Sequence, residues 1–475
     1  EMGKPKKLAV YDACREVALP LLLILLCILA VFAPSFLMSG VPKAMFLPLS
    51  LSIGFAMTVS YFLAQSLVPI LANRLMKSHV HVPEHKENIK QKTSYFEWMR
   101  DGFVQQTRRL MRRNRLIVSV YLLVIFILAG VGFVYIGKDI LPQINSGQMV
   151  IRMKTPDGTR LERTEERVKE LLNLVNEVAE GNLAVSSAYV GVVPTNYATT
   201  NLYVSTSGSN DAVIKVALAK EYHANMQDFK ERLREAVKEQ MPGITLSFEP
   251  ADLTEKLMSQ GAYTPIEVQV AGRDMPQIES YANQLVSGLA EVPFLRDVRI
   301  IQPLKFPVIN IKLDRQKLAM MGLNIQQVAR SITASTSSSR FTEKNQWLDQ
   351  KSAYTYQVQV QIPEYAMRSL PQLQEIPLVA GQVRPVLSDV ATFSMDTLPG
   401  EYARTGPRRF VTVSANIHHT DLGAATTAVE KVVAGMGEAP KGLVTQIKGM
   451  SSLLVETLDS LQVGLAIAVL VKDFL

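Results

Sequence analysis

The sequence predicts a membrane protein in which α-helical transmembrane spans are followed by a large α+β region of ferredoxin-like βαβ units. Three observations carry this. Long charge-free stretches lie near the N-terminal end. Positive charge is concentrated in one segment between them. Beyond them, hydrophobic periods of two and of 3.6 residues alternate in a repeated strand–helix–strand order.

Val17 to Pro42 is a run of 26 residues without a charge, Ala44 to Asn73 one of 30, and Leu116 to Gly137 one of 22. About 20 apolar residues span the hydrocarbon core as a helix. A buried helix of that length in a soluble protein would carry a polar stripe. A cleaved signal peptide competes for the first run, with Lys4, Lys6 and Lys7 as its basic flank. The run is too long for that, and no small-x-small site follows it. The predicted spans are 17–42, 46–73 and 116–137. A further apolar run, Leu461 to Val471, is stopped by Lys472 and Asp473 and reads as the start of a fourth helix over 456–475.

The chain has 475 residues, 50 Lys and Arg, 43 Asp and Glu, and a net charge of +7. Residues 74–115 hold eleven Lys/Arg and four Asp/Glu, so this one segment matches the whole excess. Short basic flanks face the cytoplasm. The N-terminus and 74–115 are therefore predicted to be cytoplasmic, the connection Ser39 to Pro48 to lie on the far side, and the region from Lys138 to Glu456 to lie outside. Arg108, Arg109, Arg112, Arg113 and Arg115 could contact nucleic-acid phosphates. Their place directly before a span makes them an orientation signal and a contact for anionic lipid instead, so no nucleic-acid partner is implied. Phe96, Met99, Phe103 and Leu110 suggest an amphipathic helix over Tyr95–Arg113, lying on the membrane. At 48% hydrophobic, the composition excludes disorder. Two cysteines, Cys14 and Cys27, exclude a disulfide scaffold.

In the outer region, strands are predicted at Met149–Met153, Val185–Val190, Val213–Leu218 and Ile244–Phe248, with helices at Leu161–Val178 and Met226–Gln240. The first helix would bury Leu161, Val168, Leu171, Leu172 and Val175. The pattern returns with strands at Ile266–Val270 and Val298–Ile301 around a helix at Gln277–Glu291. It resumes much later with strands at Phe410–Ala415 and Leu443–Ile447 around a helix at Leu422–Met436. Two such pairs make two ferredoxin-like subdomains, the second split by an insertion. The insertion carries strands at Val308–Leu313 and Tyr354–Ile362, and a loop at Ser331 to Ser339.

Particular segments resemble a known family. They are Ser35-Phe36-Leu37-Met38-Ser39-Gly40 followed by Phe55-Ala56-Met57 and Val68-Pro69-Ile70-Leu71; Leu141-Pro142 with Gly147-Gln148; Thr155-Pro156-Asp157-Gly158 with Glu162-Arg163-Thr164; and Leu313-Asp314-Arg315 through Met321-Gly322-Leu323. Their order and spacing resemble the resistance–nodulation–division (RND) efflux permeases. Asn145 departs from the acid often found there. The resemblance implies a porter subdomain at 148–260, a second, split one at 261–303 and 397–452, and a docking domain at 304–396. It also implies a homotrimer in the bacterial inner membrane, working with a periplasmic adaptor and an outer-membrane channel. Export of amphiphilic toxic compounds would be driven by protons. The family's relay acids and lysine belong to helices not present in this chain, and the three runs contain no Asp, Glu, Lys or Arg.

Nineteen methionines raise a second reading, copper or silver efflux, because thioethers suit soft ions. Met153 and Met258 are the candidates, although each sits one residue out of register with the metal-exporting pattern. His79, His81 and His85 lack a matched fourth ligand, and His418-His419 is a loop pair. A third reading is a non-pumping protein-export or lipid-handling factor. Phosphate-binding glycine loops and activated nucleophiles are not apparent, so neither an enzyme nor a cofactor is predicted.

Overall fold

The computed structural model describes residues 6–38, 40–75, 99, 102–104, 106, 114–140, 146–191, 206–251, 253–343, 345–378 and 385–474. His79, His81, His85, Arg108, Arg109, Arg112, Arg113, Leu141-Pro142 and Asn145 lie outside them, as does most of 95–113; Met99, Gly102, Phe103, Val104 and Gln106 are helical. The chain forms two compact units. One comprises 1–155, 161–301 and 402–475, and the other 156–160 and 302–401.

The first unit opens with α1 (Lys6–Phe32), a short helix Pro34–Leu37, and α2 (Gly40–Leu75). Among the described residues, two helices, Lys7–Phe36 and Lys43–Leu75, are long and apolar enough to cross a membrane. The third predicted span is α3 (Asn114–Tyr135), a helix of 22 residues, or about 33 Å, with an apolar stretch Val118–Gly132. Phe55, Phe62, Tyr121, Phe126 and Leu128 are exposed on these helices. Apolar exteriors this continuous are suited to lipid.

Two boundaries differ from the expectation. α1 starts at Lys6 rather than Val17, because no Gly or Pro interrupts 6–17. The predicted far-side connection at Ser39–Pro48 is helical from Gly40. Pro42 falls in the first turn, where its missing N–H removes no helical bond.

The first α/β module is β1 (Gln148–Lys154), α4 (Leu161–Val178), β2 (Leu183–Val190), β3 (Asp211–Leu218), α5 (Met226–Gln240) and β4 (Thr245–Glu249). Its sheet order is β2-β3-β1-β4 with every neighbouring pair antiparallel. That is the split βαβ arrangement. Met149, Ile151 and Met153 on β1 pack with Val168 and Leu171 of α4 and with Phe229 and Leu233 of α5. Leu161 was expected in this core but is exposed, and Leu174 takes a buried place instead.

The second module begins with β5 (Ile266–Gly272), α6 (Met275–Ala290) and β6 (Leu295–Ile300). The sequence then leaves for the second unit. There β7 (Phe306–Leu313) pairs antiparallel with β10 (Ala391–Leu398), and β8 (Asn345–Leu348) with β9 (Thr355–Val358). β9 ends at Val358, short of the predicted Ile362. Leu318, Val328, Leu373, Ile376, Leu387 and Val390 form the core of this unit. Ser331 to Thr336, expected as loop, is the end of a helix, Ile325–Thr336. Asn324 and Gln327 form a capping box, and the Thr333 and Thr336 hydroxyls donate to carbonyls four residues back. Hydroxyl side chains that bond their own helix need not break it.

The second module resumes with β11 (Ala403–Thr405), β12 (Arg408–Ile417), α7 (Leu422–Gly435) and β13 (Val444–Gly449). β12 pairs with β5 and β6, and β5 with β13, all antiparallel. The order β6-β12-β5-β13 repeats the topology of the first sheet. The chain then passes into α8 (Met450–Phe474), which begins earlier than the predicted 456 and continues through Lys472 and Asp473. Gly464 of α8 touches Pro34: a Cβ there would fall 2.1 Å from the proline Cβ. Gly464→Ala is expected to lower the melting temperature of the detergent-solubilised protein, at a cost of about 1–3 kcal/mol.

Candidate functional site

A cavity of about 570 Å³ lies in the first unit where the two modules meet. Its walls come from Asp139 and Ile140 after α3, from α5 and the end of β4, from Met258, and from Ile417, Leu422 and Met450. α5 has two faces, and this explains the wall. Phe229, Leu233 and Val237 point into the module core, while Met226, Lys230 and Arg234, spaced by four, line the cavity.

The seam beside the cavity is charged. β1 alternates, so Ile151 and Met153 face the helices and Arg152 faces away from them. Arg152 pairs with Asp211 at 2.8 Å and with Glu249, and lies over the Tyr263 ring at 4.9 Å. Arg234 bonds Asp297 of the second module through Nε at 2.9 Å and Nη2 at 2.8 Å, and Glu231 through Nη1 at 2.7 Å. Asn416 donates to Asp297 at 2.8 Å, and Lys154 donates to the Ile301 carbonyl. Both modules thus supply partners to one network. Arg299, on β6, is pressed into the same seam. Burial, then the neighbouring Arg152, lowers its pKa.

The chain leaving α3 is fixed to the same corner. Asp139 accepts the Leu422 N–H at 2.9 Å, and Asp421 accepts the N–H groups of Lys138 and Ala424 at 3.0 Å. Asp421 is the N-cap of α7, where an acceptor side chain satisfies an orphan donor. At the join of the modules, Glu267 is buried and accepts the Tyr263 N–H at 2.7 Å. Burial pushes its carboxyl up to about 7, opposed by the Tyr263 and Thr264 N–H groups and aided by the nearby charge of Glu249.

The two methionines singled out from the sequence separate. Met153 is fully buried between sheet and helices and faces away from the cavity, whereas Met258 lines it. The wall also includes Met226 and Met450. The rings of His418 and His419 lie 4.0 Å apart, centroid to centroid, and tilted by 51°, in the loop after β12. No cluster of three His, Cys, Asp or Glu suited to a metal occurs among the described residues. The sequence reading missed Lys230, Arg234 and Glu249. The signal for the first two was present, as a second stripe on an amphipathic helix.

Residues 1–474 match the AcrB/AcrD/AcrF family of RND permeases. The chain belongs to this family. Among its relatives are Protein HelA of Legionella pneumophila, 23% identical over 96% of this chain and 42% of that protein. Others are the cobalt-zinc-cadmium resistance protein CzcA of Cupriavidus metallidurans, 22% identical over 97% and 42%, and the multidrug resistance protein MdtC of Pectobacterium carotovorum, 20% identical over 100% and 44%. A crystal structure of a heavy metal efflux pump shares the fold, with a TM-score of 0.74 and 19% identity over 98% of this chain and 45% of that one. This RND chain therefore spans less than half the length of the relatives it matches.

Two outcomes follow from the seam. Arg152→Ala leaves the buried Asp211 and the half-buried Glu249 without their cation, and is expected to cost about 3–5 kcal/mol in thermal unfolding. Breaking the exposed Arg163–Glu166 pair is expected to change little. Glu267 binds a proton more tightly folded than unfolded. Its stabilising contribution is complete below the ordinary carboxyl pKa and is lost as pH rises through about 7. Glu267→Gln should therefore flatten the fall in melting temperature between pH 5 and 8.

Proposed function

We propose that this chain is the central part of a proton-driven RND efflux pump of the bacterial inner membrane, exporting amphiphilic toxic compounds. The observation that carries the reading is the cavity between the modules. It combines apolar walls with charged groups in a volume suited to a small organic molecule. The reading places 148–260 and the split 261–303 and 397–452 as porter subdomains and 304–396 as a docking domain. The region from Lys138 to Glu456 would lie in the periplasm, with 74–115 in the cytoplasm. Relative movement of the porter subdomains would open and close the cavity. Proton coupling would come from helices outside this chain.

A second reading, soft-metal efflux, has its own support. Met226, Met258 and Met450 line the same cavity, and thioethers bind soft ions. By their names, CzcA is a cobalt-zinc-cadmium resistance protein and the structural neighbour a heavy metal efflux pump. Export assays with the complete pump separate the two. Met258→Trp, which fills the wall, should cut dye export severalfold. Met258→Leu should leave it intact under the first reading. Under the second, Met258→Leu should abolish tolerance to Cu⁺ or Ag⁺.

We also propose a homotrimer that works with a periplasmic adaptor and an outer-membrane channel. Trp347 and Tyr356 pair across the β8–β9 hairpin at 5.9 Å, and both are exposed. Exposed aromatic pairs of this kind favour burial in an assembly. The double variant Trp347→Ala with Tyr356→Ala should shift the detergent-solubilised pump from trimer toward monomer on a sizing column.

A further inference from the structure

The charged groups of the cavity wall are engaged, with one exception. Asp139 accepts the Leu422 N–H, Glu255 accepts the Ala251 N–H at 3.0 Å, and Glu249 is held by Arg152. All three nitrogens of Arg234 are used by Asp297 and Glu231. Lys230 makes no hydrogen bond or ion pair with any described residue. Its Nζ lies 5.5 Å from the Phe248 ring centroid, in a face-on cation–π position. It stands one helical turn before Arg234 on the cavity face of α5, so its ammonium is presented to the cavity alongside Met226 and Phe248.

We propose that Lys230 is an anion anchor: the compounds taken into this cavity carry a carboxylate, sulfonate or phosphate beside an apolar body. The inference rests on the reading of the cavity as a site for amphiphilic cargo, and it assigns the charge of that cargo. Lys230 is half-buried and its ammonium is set against an aromatic ring with no anion bonded to it among the described residues, an arrangement that a counter-charge improves. Burial lowers the Lys230 pKa, and the nearby charge of Glu255 offsets this only in part. A bound anion would supply the missing partner through a charge-assisted hydrogen bond. Ile140, Met226, Phe248, Met258, Ile417 and Leu422 provide apolar surface for the rest of the molecule. Arg234 cannot take this role without giving up Asp297, one of the contacts that tie α5 to the second module.

The test is a fluorescence titration of the protein in a neutral maltoside detergent. The probes are dansyl-undecanoate, which is anionic, and its uncharged methyl ester. The wild type should bind both, the acid more tightly by on the order of tenfold, the usual range for one hydrogen bond to a charged group. Lys230→Met should bind the acid and the ester alike, and its binding of the ester shows that the variant is folded. Lys230→Arg should keep the preference. If Lys230→Met still binds the acid as tightly as the wild type does, the anchor is wrong and the amphiphile cavity stands. If neither probe binds the wild type, the cavity reading itself falls, and the anchor with it.

Discussion

Two sheets of the same topology are held together here by charge. Arg234 reaches from α5 to Asp297 on the second module, Asn416 adds a bond to the same carboxylate, and Arg152 gathers Asp211 and Glu249 behind it. Buried ion pairs contribute little net stability, because desolvation offsets the attraction. Their effect is positional: a shift of one module strands a charge. The cavity lies at the end of this network and takes its shape from it.

Such a seam differs from an apolar one in how it responds to displacement. Apolar faces slide at modest cost, whereas these partners bond in fixed directions. Among the described residues, Arg299 sits inside the seam with its Nε and Nη1 atoms unsatisfied, and one oxygen of Asp211 is unsatisfied as well. The network is thus complete around Arg234 and incomplete around Arg299 and Asp211. A boundary of this kind tolerates a small number of discrete arrangements better than a continuous range.

Much of the fold was legible in the sequence. Helices Leu161–Val178 and Met226–Gln240 fall where the 3.6-residue period placed them, and the two strand–helix–strand pairs fall where alternation placed them. Their boundaries follow from local chemistry, such as the Asn225 and Asp421 caps. What was not legible depends on distant partners. Ser331 to Thr336 looked like a loop by composition, and its helix is set by a cap at Asn324, outside the Ser/Thr run. The site was harder. Met153 and Met258 look alike in sequence, and only the pleat of β1 puts the former in the core. Lys230 has the composition of any surface lysine, and its isolation is visible only once every neighbouring charge has been assigned a partner.

The split of the second module has a consequence for how the chain is made. Among the described residues, β5 hydrogen-bonds only to β12 and β13, and β6 only to β12, so Val270 must wait for Val411. At about 5–20 residues per second, the ribosome needs on the order of ten seconds to supply that partner. Through that interval an Ile-Glu-Val-Gln-Val strand has both edges bare, the condition under which strands pair with the wrong chain. The first module faces a shorter wait, because β1 finds β3 and β4 before β5 is made. The halves that look like duplicates in the finished molecule are therefore unequal during synthesis, and the later one is where nascent chains are most exposed to misassembly.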